Sequence, residues 1–133
     1  MELQNYWGKA KDSEEGPNWH PLVYHSLDVA SVGDVYLNEH QEFLRFISNE
    51  INVTPSTALN WIRYLLLIHD LGKFSRAFQR LKPDLVKEIT GASPPPTSYE
   101  TRHDTLGYGL IRGLNRDTLV RCLVKKILLF NTI

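Results

Sequence analysis

A single cysteine, Cys122, stands in the 133 residues, so the chain closes no internal disulfide, and a reducing compartment is its natural setting. The opening segment, Met1 to Gly16, has no apolar core of signal-peptide length, and no apolar run approaches the roughly 20 residues of a membrane span. A cytoplasmic protein with no membrane partner is therefore expected. There is no Gly-rich phosphate loop and no CxxC pair, so a nucleotide-driven motor is not encoded. Net charge is zero, which gives no support by itself to a nucleic-acid partner. Repeats and alternating strand patterns are missing too, so the chain reads as all-α, one helical domain spanning residues 1–133.

The neutral total hides an asymmetry. Residues 1–50 carry nine acids against three bases, and the rest of the chain balances them, its bases gathered at Lys73 to Lys87 and Arg112 to Lys126. Most charge runs are solvated faces. Beside a metal, however, a basic surface would suit a phosphodiester.

Six stretches carry the helical reading. His20-Pro21 breaks the irregular start and opens a helix on which Leu22, His25, Val29, Val32 and Tyr36 form the inward stripe. A short second helix places Phe43, Phe46 or Ile47, and Ile51 inward. Thr54 caps a third with Pro55 at its first position, apolar on most sides from Leu59 to Ile68 and so expected to be buried within a bundle. Gly72 is the expected stop, leaving His69 and Asp70 in or just beyond the last turn. A helix from Ser75 to about Leu81 buries Phe74, Ala77, Phe78 and Leu81 and exposes Arg76 and Arg80. Residues Ile89 to Ser98 form a loop. The next helix starts near Thr101, with His103, Leu106, Gly107, Leu110 and Leu114 on one face, its glycines allowing close approach of a neighbour. An amphipathic segment, Asp117 to Phe130, follows.

His25, His69 and His103 each fall on the apolar face of a different helix, and Asp70 adjoins one of them. A lone histidine so placed is more often a satisfied core residue than a ligand. Three of them with an interior aspartate are harder to dismiss, because a carboxylate at the edge of hydrocarbon is costly unless paired or coordinating. Neutral imidazoles plus a carboxylate, contributed by separate helices, make a divalent-metal site. Neighbours on a helix project roughly 100° apart, so His69 and Asp70 meet one metal only where the helix is ending. Lys73, three residues beyond Asp70, reaches the carboxylate or a substrate phosphate; the plain alternative is a surface lysine at a helix end. Ser75 reads as a cap. Cys122 has no histidine after it and makes a poor nucleophile.

The block His69-Asp70-Leu71-Gly72-Lys73 after an apolar helix resembles the motif of the HD superfamily of metal-dependent phosphohydrolases. Tyr6-Trp7-Gly8-Lys9, His25-Ser26-Leu27-Asp28-Val29-Ala30, Phe74-Ser75-Arg76-Ala77-Phe78-Gln79 and Arg102-His103-Asp104-Thr105-Leu106-Gly107 narrow the resemblance to the HD nuclease domain of the CRISPR-associated nuclease-helicase of type I systems. That resemblance implies a helical HD-type bundle and a single-stranded DNA endonuclease using a metal-activated water. It also implies partnership with an RNA-guided surveillance complex and with the helicase portion of a full-length protein, absent from this chain. One or two divalent ions are implied, with Mn, Ni, Co, Fe or Mg all compatible. The metal ligands carried over are His25, His69, Asp70 and His103; the catalytic residues are Asp70 and Lys73; Lys73 and Arg76 are the substrate contacts.

The sequence departs from the family pattern after His103, where no further histidine occurs and the last acid is Asp117. The family's downstream His-His pair and late aspartate are therefore not found. A bundle incomplete at its C-terminus, with weak metal binding and little or no cleavage, is the expectation. Two other readings stand beside it. One is an HD phosphohydrolase acting on nucleotides or cyclic dinucleotides, and the other is a non-catalytic remnant that binds the surveillance complex.

Overall fold

The computed structural model of the chain describes residues 2–11 and 18–113. A 3-10 turn, Leu3–Asn5, leads into strand β1, Trp7–Lys11, which pairs antiparallel with β2, Asn18–Pro21. The helices that follow are α1 Leu22–Glu39, α2 Gln41–Glu50, α3 Pro55–Ile68, α4 Arg76–Gln79, α5 Pro83–Thr90 and α6 His103–Gly113. The fold is mostly helical, as expected, and α3 packs on both α1 and α2. The amphipathic segment Asp117 to Phe130, with Leu114 and Cys122, lies outside the described residues.

The β1–β2 hairpin corrects the reading of residues 1 to 19 as irregular. Gly8-Lys9-Ala10-Lys11 carries no apolar alternation, so no strand is visible in the pattern. The hairpin is held from outside. Trp7 lies against Phe78, ring centroids 4.6 Å apart, in a buried cluster with Leu85 and Val86, and Ala10 and Trp19 pack on that cluster. The chain turns from β2 into α1 at Pro21, and Leu22 N–H donates to the Tyr6 carbonyl at 2.7 Å.

The inward faces match the expected ones in part: Leu22 and His25 are buried as the stripe on α1 predicts, but several of the largest hydrophobes lie outside, and small residues take part of the contact between helices. On α1 the buried positions are Leu22, His25, Ser26, Ala30 and Leu37, whereas Val32 is 70% exposed and Tyr36 is 51% exposed. Between Ala30 and Leu37, Gly33 meets α3 so closely that a Cβ there would lie 2.2 Å from Leu66 Cδ1. Arg63 Nε on α3 donates to Asp34 Oδ1 at 2.7 Å beside this contact. On α2 it is Leu44 and Ser48 that are buried, while Phe43, Phe46 and Ile51 are exposed. On α3 only Ala58 is fully buried and Trp61 and Leu65 are exposed among the described residues, so this helix is not sheathed on all sides.

The start of α3 is as expected, with Pro55 at its first position and Thr54 Oγ1 accepting from Thr57 N–H at 3.2 Å. Its end is not made by Gly72. The helix stops at Ile68 with His69 as cap, and Gly72 sits in a 3-10 turn, Leu71–Phe74, without a positive φ. Ser75 is an N-cap, its Oγ accepting from Phe78 N–H at 3.2 Å, but α4 is a single turn and Leu81 is exposed. Helix α5, from Pro83 to a stop on Gly91 at φ 74°, is absent from the sequence reading and corrects its loop of Ile89 to Ser98, since Ile89 and Thr90 are helical. The loop then runs to α6.

Candidate metal centre

Asp70 is the hub. It follows the α3 cap residue, is only 5% exposed, and its carboxylate is approached from four elements' worth of side chains. Oδ2 lies 2.7 Å from Lys73 Nζ, 3.1 Å from His69 Nε2 and 3.3 Å from His25 Nε2; Oδ1 lies 3.4 Å from His103 Nε2. The three histidines that the sequence puts on separate helices thus converge on one carboxylate. His25 comes from the buried face of α1, His69 from the end of α3 and His103 from the first residue of α6.

Local structure fixes each ring. His69 Nδ1 lies 2.6 Å from the Leu66 carbonyl; a proton on that nitrogen leaves Nε2 with its lone pair toward Asp70. His103 Nδ1 lies 3.1 Å from the Tyr99 hydroxyl, which also accepts the His103 backbone N–H at 2.9 Å. His25 is buried, and burial pushes its pKa below the ordinary 6.5; Asp70 opposes that, while the charges of Lys73 and Lys9 add to it. Burial thus favours its neutral form, the form in which an imidazole ligates a metal.

His25, His69 and Asp70 offer three donor atoms within 4.8 Å of one another. Two ligands held about 2.1 Å from one ion stand roughly 3.0 to 3.4 Å apart at octahedral to tetrahedral angles, and the two spacings from Asp70 Oδ2, 3.1 Å to His69 and 3.3 Å to His25, fall in that range. His103 addresses the other carboxylate oxygen, so Asp70 faces two ways. Lys73 now occupies Oδ2 and would have to yield to an incoming ion. Arg76, exposed on α4, makes no polar contact with the cluster among the described residues.

Three contributors escaped the sequence reading. Tyr99, in the loop before α6, has no local signal that would link it to His103. Phe78 lies beneath the cluster, 5.5 Å from Lys73 Nζ and 5.4 Å from the His103 ring. Gln79 lies outside the cluster but bonds the Lys73 carbonyl and the Trp7 backbone.

The chain belongs to the Cas3 HD domain family. The family model described as "Cas3, HD domain" matches residues 7–129. It is also similar to the CRISPR-associated endonuclease/helicase Cas3 of Escherichia coli (strain K12), 29% identical over 120 residues, 86% of this chain and 13% of that protein. The chain thus spans about an eighth of the length of this curated relative. No solved structure matches it significantly. HD domains are metal-dependent, which agrees with the His25, His69 and Asp70 cluster. Among the described residues no helix is long and apolar enough to cross a membrane.

Because His25 takes up a proton less readily when folded than when unfolded, it contributes stability that is complete above about pH 6.5 and declines as pH falls below that value. For metal-free protein, urea denaturation at stepped pH should show ΔG falling on the acid side by at most about 1.4 kcal/mol per pH unit from this group. His25→Asn should flatten the slope. An unchanged slope would mean that His25 is not the group responsible.

Proposed function

We propose that this chain is a metal-dependent nuclease domain of a CRISPR interference system, hydrolysing phosphodiester bonds of single-stranded DNA. The convergence of three imidazoles and an ammonium on the Asp70 carboxylate carries this reading. His25, His69 and Asp70 would hold a first divalent ion, and His103 with the other oxygen of Asp70 offers the start of a second site. An imidazole-rich set favours a first-row transition ion such as Mn, Ni, Co or Fe over Mg. When bound, the ion supplies Lewis acidity and an acidified water.

The chain's own residues do the rest. Asp70 fixes where the charge sits, and its two oxygens set the separation of the two halves of the site. His69 is locked by the Leu66 carbonyl so that Nε2 faces inward. Lys73, displaced from Asp70, is positioned to donate to a non-bridging phosphate oxygen as negative charge develops there. Phe78 closes the floor beneath Lys73 and His103, keeping water from that side. The wider assignment includes an RNA-guided surveillance complex as recruiting partner, a helicase portion in the full-length protein, and a cytoplasmic setting. It draws on the similarity to the Escherichia coli endonuclease/helicase.

Purified protein titrated with Mn²⁺ and offered single-stranded DNA beside a panel of nucleotides and cyclic dinucleotides tests the proposal. Metal binding with slow, metal-dependent DNA cleavage that His69→Ala removes is the expected result. Hydrolysis of the nucleotides with DNA left intact would replace this reading with a nucleotide phosphohydrolase. Retained binding of a surveillance complex by His69→Ala and Asp70→Ala variants, with no cleavage by any form, would make the domain a non-catalytic binding module.

A further inference from the structure

Gln79 lies at the end of α4, outside the metal cluster, yet it is 6% exposed and its side-chain amide is almost fully engaged. Its Oε1 accepts the Trp7 backbone N–H at 3.1 Å, and its Nε2 donates both to the Trp7 carbonyl at 3.0 Å and to the Lys73 carbonyl at 2.8 Å. The pairing with Trp7 copies what a neighbouring strand residue would make, so Gln79 serves as a one-residue edge partner for β1. The Trp7 indole Nε1 returns a bond to the Gln79 carbonyl at 3.1 Å.

The next residue along β1 is Gly8, and its carbonyl accepts from Lys73 Nζ at 3.4 Å. Lys73 is therefore tied to Gln79 at both ends. Its backbone carbonyl is bonded directly, and its ammonium rests on a strand whose position the same amide sets. We infer that Gln79 is the positioning residue for Lys73, fixing the ammonium against Asp70 Oδ2 at the edge of the metal cluster. This rests on the metal-nuclease reading for its purpose, since a lysine so held can pass from the carboxylate to a substrate phosphate when an ion arrives. The geometric part stands without it.

Only an amide satisfies the arrangement. It must present one acceptor to an N–H and two donors to two carbonyls at once, and no other uncharged side chain of this length does so. Gln79→Met preserves length and removes all three bonds; Gln79→Glu preserves the acceptor and removes both donors.

Two measurements on the purified chain test the inference. The first needs no metal: reaction of each lysine with an amine-selective acetylating reagent, read by mass spectrometry. The Lys73 side chain is 14% exposed, whereas Lys87 on α5 is exposed and serves as internal reference. Freed from Gln79, Lys73 should react about fivefold faster relative to Lys87, as local opening of a single contact would give. The second is Mn²⁺ affinity by calorimetry. Lys73 on Asp70 opposes a cation, so loosening it should tighten Mn²⁺ binding by about threefold, whereas a general loosening of the fold would weaken it. In a Lys73→Met background Gln79→Met should then bring no further tightening.

Unchanged Lys73 reactivity in a folded Gln79 variant overturns the inference, as does faster reaction of all lysines together, or failure of both variants to fold. In each case Gln79 is only a support for the hairpin. Weaker rather than tighter Mn²⁺ binding in Gln79→Met overturns it likewise. Selective acceleration at Lys73 in a protein that binds no Mn²⁺ upholds the positioning role and sinks the metal reading instead.

Discussion

Asp70→Ala is expected to reduce Mn²⁺ affinity by roughly two orders of magnitude or more, and to destabilise the metal-free protein by about 3 kcal/mol. Both effects come from the same geometry. Among the described residues the carboxylate is the one anionic donor of the cluster, and its Oδ2 is shared by Lys73, His69 and His25. Without it, three imidazoles remain around a space that no longer carries negative charge, and affinity for a cation falls accordingly. The Lys73 ammonium is then left partly buried, with the Gly8 carbonyl 3.4 Å away as its remaining acceptor among these contacts. Removing one partner of a buried pair costs more than the pair contributes, because the other charge keeps its desolvation penalty.

Asp70→Asn separates the two effects. It keeps the shape and one acceptor oxygen, so the loss of stability should be smaller than for alanine, while metal binding should still collapse. Lys73→Met in the same background removes the stranded charge and should recover part of the stability without restoring metal affinity. Urea denaturation and Mn²⁺ titration of the four proteins decide the matter. A metal-free Asp70→Ala protein as stable as the parent would show that Lys73 is not held by Asp70 in solution.

The cluster itself was legible in the sequence because ionisable side chains at the border of apolar helices have few innocent explanations. His25, His69, Lys73 and His103 do meet around Asp70, although His69 is the exposed cap of α3 and His103 opens α6, where the sequence put both on apolar helix faces. The Thr54-Pro55 start of α3 is where pattern and spacing put it. What the pattern concealed was packing. A stripe chosen by the bulk of its hydrophobes passes through Val32 and Tyr36, but α1 meets α3 through Gly33, flanked along the helix by Ala30, because close approach is worth more there than side-chain volume. The hairpin was concealed for a related reason: its strand is specified by Trp7, Gln79 and Phe78 across the fold and hardly at all by its own residues. Tyr99 and Gln79 shape the site through contacts that no local spacing announces. Helix α5 is a different lesson, since Pro83 and Gly91 bracket it openly, yet eight residues give too short a periodic pattern to stand out beside the loop composition that begins at Ile89.

Gly72 shows how a correct residue can be credited with the wrong role, and its replacement is the second large effect. Read as a helix stop, Gly72 would owe its place to a left-handed backbone, and alanine would carry only a modest conformational penalty. The actual backbone there accepts any residue, but a Cβ would lie 1.8 Å from the His103 carbonyl oxygen, 2.7 Å from its carbon and 2.8 Å from the Gly107 nitrogen. Those atoms are backbone, so no rotamer change relieves the clash, and α6 must retreat as a unit by about 1.5 Å to restore ordinary contact. Gly72→Ala should therefore cost at least about 3 kcal/mol. It should also carry His103 away from Asp70 Oδ1 while leaving His25 and His69, on α1 and α3, in place. Gly109→Ala is the matched control, because it lies on the same helix with nothing within 4 Å of its added Cβ among the described residues. There alanine should stabilise by roughly 0.5 to 1 kcal/mol through helix propensity alone. Urea midpoints that move in opposite directions, with the His103 ring resonances shifted only in Gly72→Ala, are the expected result; midpoints that move together would mean that the turn and α6 are not in contact in solution.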